Sequence, residues 1–374
     1  MPSKELKSEK EIEDFVRGCT FLGTGGGGSP EEGLSLLLET FKSGKKIQWV
    51  DVSEIDDDVW VTTPAGMGSI APVSPKKRKM FEELGFKERK VKRTLVEAVQ
   101  ELENYLRSEV QVIVPGEIGG GNTPVPIDTA AQLGKIAVDG DYAGRAIPEV
   151  AQCLPAIYNK EITPIACTDD WGNVTIIKHV VTLAAAERLG KLVSTLATGL
   201  CGETFFTMKA KEMKENLIPG TLTESLEIGR TIREARENGK DPAEAITDFL
   251  NGWILFKGEI KKKDWEDREG YMYGTTYIGG IEEFKGKEFK IWFKNENHIS
   301  WIDEEPFVTS PDIIVVVELD TAEPITNPEL KTGQKVAVIG LKGREQYRNT
   351  KCIEIIGPKH YGYDIEHIPI EKLV

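Results

Sequence analysis

Cysteine and histidine are scarce in this chain, and no apolar run is long. The five cysteines, Cys19, Cys153, Cys167, Cys201 and Cys352, are odd in number, widely spread and include no C-x-x-C pair. That pattern argues against a disulfide framework and against a structural zinc site. The four histidines show no metal-ligand spacing, and His179, inside the apolar stretch 176–181, reads as a core or interface residue. No run reaches the ~18 apolar residues that mark a membrane helix. The first ten residues are polar and lack both the apolar stretch and the small-residue cleavage site of a signal peptide. Positive charge is in deficit: 47 Lys and Arg against 61 Asp and Glu leave a net charge of −14, which excludes nucleic-acid binding built on phosphate contacts. The basic clusters Lys76-Lys77-Arg78-Lys79 and Lys261-Lys262-Lys263 are flanked by carboxylates and read as solvated surface. Glutamine is also rare beside Lys and Glu, a bias that fits heat adaptation. The expectation is a cytoplasmic protein with no membrane and no nucleic-acid partner.

What the chain does contain is an ordered change of pattern. Its 374 residues can bury a large core, and two domains are the natural expectation. Segments 9–21, 30–42 and 91–106 carry apolar residues at helical spacing, with Leu34, Leu37, Leu38 and Phe41 on one face of the second. Segments 47–52, 59–63, 110–114, 136–138 and 162–166 are short apolar runs, the last three rich in β-branched residues and bounded by Gly or Pro, as buried parallel strands should be. From Asn173 the character shifts. Helices are expected over 180–189, 223–237 and 242–250, then strands over 254–260, 271–278, 289–293, 313–319, 336–339 and 352–356 with Gly, Pro and Asn turns between them. The fold expected is an α/β N-terminal domain with a largely parallel sheet over 1–172, followed by a mainly β C-terminal domain with a few helices over 173–374, a sandwich or swivelling barrel.

Four loops carry the groups that could do chemistry. Gly23-Thr24-Gly25-Gly26-Gly27-Gly28 precedes a helix that Ser29, Pro30 and Glu32 already cap. No Lys-Ser/Thr follows and Glu31 and Glu32 occupy the anion position, so the run is a backbone wall for a neutral or carboxylate-bearing ligand, a phosphate cradle, or a turn with more glycine than a turn needs. Glu117 and Asn122 lie in a Gly-rich loop directly after the 110–114 strand, the place where open parallel sheets bind ligands; alternatively Asn122 only caps the next helix. Asp139, Asp141, Arg145 and Glu149 follow the next strand, either as an Asp–Arg pair that leaves a second carboxylate for substrate or metal, or as a charge network. Asp169, Asp170 and Asn173 follow the 162–166 strand, in a pattern that can orient water or hold a hard cation. Three successive strand ends would then deliver acids to one crevice. Acids that converge raise one another's pKa, which suits general acid–base work. Cys201, flanked by Gly202, is either an accessible thiol or a buried small hydrophobe, and Cys167 has the same two readings.

Taken in order, these motifs resemble the S-methyl-thiohydantoin desulfurase family, long catalogued as a domain of unknown function beside hydantoinase and oxoprolinase subunits. In the first half the likeness rests on the 22–28 run, Gly116-Glu117-Ile118-Gly119-Gly120 with Asn122, Asp139-Gly140-Asp141 leading to Gly144-Arg145-Ala146 and Pro148-Glu149, and the 170–173 turn. In the second half it rests on Lys294-Asn295-Glu296-Asn297, Ser310-Pro311-Asp312 and Gly357-Pro358 followed by Tyr361-Gly362-Tyr363-Asp364. Ser29, Ile147 and Tyr361 depart mildly from it. The resemblance implies hydrolysis of an S-methyl thiohydantoin to a hydantoin and methanethiol, with Glu117, Asp141 or Asp170 as the base that activates water. Arg145 and Asn122 would hold the ring carbonyl or an acidic tail, with Asp139, Glu149, Asp169 and Asn173 beside them. Thr24, Gly25, Gly26 and Gly27 would present backbone N–H groups, and Asn295 and Glu296 would close the site from the second domain. A divalent metal ion held by the carboxylates is the alternative to a protein base. A cyclic amide hydrolase without sulfur chemistry, or a non-catalytic assembly subunit beside a hydantoinase-like partner, are the rival functions. A homo-oligomer is expected.

Overall fold

The structure is a computed structural model that describes residues 4–68, 74–198, 200–268 and 270–374; residues 1–3 of the polar N-terminal segment lie outside the described residues. An eight-stranded mixed sheet forms the first layer. At its heart the strands Gln48–Val50, Ile136–Val138, Val112–Ile113 and Trp60–Gly68 run parallel. This is the largely parallel α/β architecture that the alternating pattern implies. Three more strands extend it antiparallel: Leu200–Lys209 beside Trp60–Gly68, then Ile165–Thr168, then Val174–Ile177. Here the structure corrects the sequence reading. Ile165–Thr168 is buried, yet it has no parallel partner, because a strand from much later in the chain is inserted between it and the parallel core.

The C-terminal layer is a seven-stranded antiparallel sheet. Its chain order runs from Trp253–Arg268 through Tyr271–Gly280, Glu288–Lys294, Glu296–Ile302 and Glu305–Thr309 to Ile313–Glu318 and Lys335–Leu341. The sheet curls into a half-barrel, so that the Asn297 side chain reaches the Ile314 carbonyl across the open side at 3.0 Å. One face buries Phe256, Ile260, Ile278, Phe289, Ile291 and Val338 against each other. The opposite face, through Ile313, Val315, Ala337 and Ile339, shares a single core with Phe15, Leu222 and Leu226 of the helical layer. The two domains therefore have apolar surface in common. Segment 352–356, expected as a strand, is instead the end of helix Thr350–Ile356: Asn349 caps it by accepting from the Cys352 N–H, and the buried pair Cys352 and Ile356 are four residues apart, the spacing of one helical face. His179, expected in a core or interface, is exposed beside Glu161. Among the described residues, no helix is long and apolar enough to cross a membrane.

Helices Glu9–Leu22 and Thr221–Glu237 set the spacing of that shared core. They meet backbone to backbone: a Cβ at Gly18 would overlap the Ser225 carbonyl, and one at Gly229 would overlap that of Asp14. The buried Asp14 is held by Arg17 at 2.9 Å and by Arg233 at 2.9 Å, so the close approach is locked by charge as well as by size. Gly18→Ala is expected to destabilise the protein by about 1–3 kcal/mol through overpacking. Denaturant unfolding checks this, and an unchanged midpoint would show that the helices can separate freely.

Candidate functional site

The loop after the parallel strand Val112–Ile113 carries Gly116 and Glu117, and Trp60–Gly68 ends in Ala65, Gly66 and Met67. Together with Ile147, Glu149, Val150, Cys153, Ile162, Ile165, Ala186, Glu187, Glu203 and Phe205, these residues line a half-open cavity of about 160 Å³. Its walls are mostly apolar, with four glutamates set among them.

Glu117 is the best-defined of the four. Its Oε2 accepts the Ile147 N–H at 2.7 Å, and its Oε1 accepts the amide of Asn122. Desolvation in the cavity pushes its pKa up to about 7, against the pull of those two donors; the charge of Asp141 adds to the rise and that of Arg145 opposes it. A group with that value is poised to take up or release a proton near neutrality. Glu203 projects from the Leu200–Lys209 strand on the same face as Phe205 and Cys201. It is 3% exposed. Burial raises its pKa to about 7, and the neighbouring Glu187 adds to the rise. Its Oε1 receives the thiols of Cys167 at 3.5 Å and Cys201 at 4.0 Å. Both cysteines are buried, and burial lifts both thiols, so they serve as weak donors and not as nucleophiles. Glu149 and Glu187 are committed carboxylates. Glu187 meets Lys191 at 2.8 Å and the Tyr271 hydroxyl. Glu149 meets Lys294 and His360, both from the C-terminal domain.

The glycine bend does not face this cavity. It is clamped between the domains. Thr24 accepts from Arg145 Nη2 at 3.0 Å, and its carbonyl receives the Asn297 N–H at 2.8 Å. Gly25 O receives the Asn327 N–H at 2.7 Å, and Gly27 O receives those of Gly121 and Asn122 at 2.9 and 3.0 Å. A side chain at Gly26 would strike the Glu296 carboxyl, and one at Gly27 would strike the Cα of Gly119. Small residues are thus required because three segments cross here. Arg145 is likewise occupied. It is buried and bonds the carbonyls of Ala146 and Asn297 at 3.1 and 3.0 Å, tying the first domain to the second. Glu296 is 2% exposed, and one of its carboxyl oxygens has no hydrogen-bond partner. Burial pushes its pKa well up, and the charge of Glu117 adds to the effect. Asn295 turns the chain between two strands, its side chain accepting from Met272 N at 2.9 Å.

Of the residues expected to meet in one crevice, Glu117 and Glu149 line the cavity and Asn122 steadies Glu117. The others stand apart. Asp139 caps helix Thr221–Glu237, accepting from the N–H groups of Leu222 and Thr223 at 3.1 and 3.0 Å. Asp141 is fully buried and fixes its own turn through the N–H groups of Ala143 and Gly144 at 2.8 and 2.7 Å; burial raises it to about 6. Asp169 binds the Asn173 amide at 2.7 Å and the Trp171 N–H at 3.0 Å. Asp170 holds Thr198 and pairs with Arg89 at 3.3 Å. The physical reason for the displacement of Asp170 is the strand order. Leu200–Lys209 and Trp60–Gly68 both lie between Ile165–Thr168 and Val112–Ile113, which separates the two strand ends by roughly 14 Å at about 4.8 Å per strand. Glu203, which arrives on one of those intervening strands, takes the place expected for Asp170. Its signal in the sequence is faint: one acid at an inward position of an alternating run, between Cys201 and Phe205. Among the described residues, no group of three His, Cys, Asp or Glu is placed to hold a metal ion.

Comparison with known proteins agrees with this architecture. Residues 10–179 match the model of the S-Me-THD-like N-terminal domain, and residues 182–370 match that of the S-Me-THD-like C-terminal domain. A crystal structure of a protein from Chromobacterium violaceum superposes with a TM-score of 0.78 at 22% identity, covering 98% of this chain and 100% of that one, which shows a common fold. No curated protein matches the chain.

The Glu149 cluster gives the site a pH dependence. Burial alone would raise this carboxyl, but His360 and Lys294 outweigh it and lower the pKa from 4.5 to about 2. A depressed folded-state value means that the stabilisation is fully present above the unfolded value of 4.5 and is lost as the pH falls toward 2. Urea unfolding across that window is expected to show a steeper acid loss in the wild type than in Glu149→Gln; parallel curves would contradict the pairing.

Proposed function

Because the chain belongs to the S-Me-THD-like family through both of its domains, we propose that it hydrolyses a small five-membered thiohydantoin-like ring, converting an S-methyl thiohydantoin and water into a hydantoin and methanethiol. The observation that carries this reading is Glu117, a carboxyl tuned to about 7 on the wall of a small, largely apolar cavity at the ends of the parallel strands. Two fixed donors, Ile147 N–H and the Asn122 amide, orient its oxygens on the cavity wall. In its ionised form it takes a proton from water as the oxygen attacks the ring carbon that bears sulfur. The apolar side chains of Ile147, Ile162, Ile165 and Phe205 lower the local polarity and strengthen each electrostatic contact beside them. Asn122 is placed to steady the base, and Asp141, Asp170 and Arg145 hold the loops that shape the site.

Incubating the purified chain with an S-methyl thiohydantoin is expected to release free thiol, with a rate that falls on the acid side of about 7 as Glu117 becomes protonated. Glu117→Gln is expected to lower kcat by about 10²–10⁴ with little change in Tm, whereas Asp170→Asn lowers Tm and keeps most of kcat. Wild-type turnover by Glu117→Gln would remove Glu117 as the base. Thiol release only after addition of a hydantoinase-like partner would favour the assembly-subunit reading.

A further inference from the structure

The departing sulfur needs a proton, and the cavity holds one group built to give it. We infer that Glu203, on the wall formed by the Leu200–Lys209 strand, is the general acid that protonates the sulfur leaving group; this rests on the thiohydantoin reading above. Three features of its placement support the assignment. Glu203 lines the same cavity as Glu117 but reaches it from a different strand, so the two carboxyls approach a bound ring from separate walls. Its Oε1 is fixed by Cys167 and Cys201, while Gly190 supplies a bare shelf where any side chain would strike the carboxyl. That leaves one oxygen to carry a proton toward the cavity.

The donors around the two carboxyls also differ in kind. Glu117 receives an amide and a backbone N–H, strong donors that favour its ionised form. Among the described residues, the donors to Glu203 are thiols, which are weak, and it faces the paired carboxylate of Glu187 on helix Leu183–Ser194. Burial and the like charge of Glu187 favour the neutral acid, and the weak thiol donors oppose them only slightly. The base and the acid are thus told apart by their surroundings. Burial at 3% exposure agrees with a proton held until it is needed.

The step balances as follows. Glu117 removes a proton from water while the water oxygen bonds to the ring carbon and the C=N π pair of that carbon moves onto the ring nitrogen. The nitrogen pair then re-forms the C=N bond as the carbon–sulfur bond breaks, the C–S pair goes to sulfur, and the Glu203 proton joins that sulfur to give methanethiol. The hydroxyl proton left on the ring moves from oxygen to the ring nitrogen to give the hydantoin. The proton now on Glu117 restores Glu203 through the emptied cavity, so substrate and water become hydantoin and methanethiol with neither carboxyl consumed.

The leaving group provides the test. An alkanethiolate is a poor leaving group and needs the acid; the more acidic trifluoroethanethiol departs with far less help, and an S-propyl substrate controls for its greater bulk. Glu203→Gln is expected to lose about 10²–10⁴ in kcat/KM on the S-methyl substrate but less than about tenfold on the S-(2,2,2-trifluoroethyl) analogue. An equal loss on both, or no loss on either, would overturn the assignment, because a merely structural role would not distinguish the two thiols. If Glu203→Gln does not fold, the wild type alone decides. Across a series of S-alkyl substrates its kcat/KM should depend weakly on leaving-thiol acidity, and a steep dependence would show that no acid assists. A wild type that cleaves neither substrate would instead overturn the thiohydantoin reading itself.

Discussion

The contact between Gly27 and Gly119 is the constraint on which the rest of the site depends. Backbone meets backbone there with no room for a Cβ, and the Gly27 carbonyl gathers the N–H groups of Gly121 and Asn122. This pins the loop that carries Glu117 and Asn122. On its other side the same bend rests against Glu296 and accepts the N–H groups of Asn297 and Asn327 from the C-terminal domain. One glycine-rich turn therefore joins three segments far apart in sequence. Loosening it would let the Glu117 loop, Arg145 and the second domain move independently.

The chemistry follows from how sparingly the cavity uses polar groups. Two of its acids are paired, Glu149 with Lys294 and His360, and Glu187 with Lys191 and Tyr271. The remaining two, Glu117 and Glu203, are desolvated to about 7. In the proposed reading these two acids on separate walls form an acid–base couple, with the stronger donors on Glu117. A neutral heterocycle that needs one proton removed and one supplied fits such a cavity. The buried Glu296, pushed upward beside Glu117, extends the acidic cluster into the domain interface.

Much of the fold was legible because it rests on local periodicity. Helices Glu9–Leu22 and Pro30–Lys42, with Ser29 capping the second, follow from apolar spacing and cap residues, and the parallel strands follow from short β-branched runs. Glu117 was legible because a loop after a buried parallel strand is a privileged position. What escaped was long-range pairing. Nothing local says that Leu200–Lys209 slips in beside Trp60–Gly68, and that one insertion moves Asp170 away and brings Glu203 in. The glycine bend was read as a ligand wall because dense glycine signals close approach; the approach is real, but the neighbours are Gly119 and Glu296. Segment 352–356 misled because Ile-rich residues suit a strand, while Asn349 and the spacing of Cys352 and Ile356 favour a helix.

The central claim is that Glu117 titrates near neutrality in the cavity. Infrared difference spectra between the wild type and Glu117→Gln, recorded as a function of pH, isolate its protonated carboxyl band. The account predicts that this band disappears with a midpoint near 7. A midpoint at the ordinary glutamate value of 4.5 would contradict it.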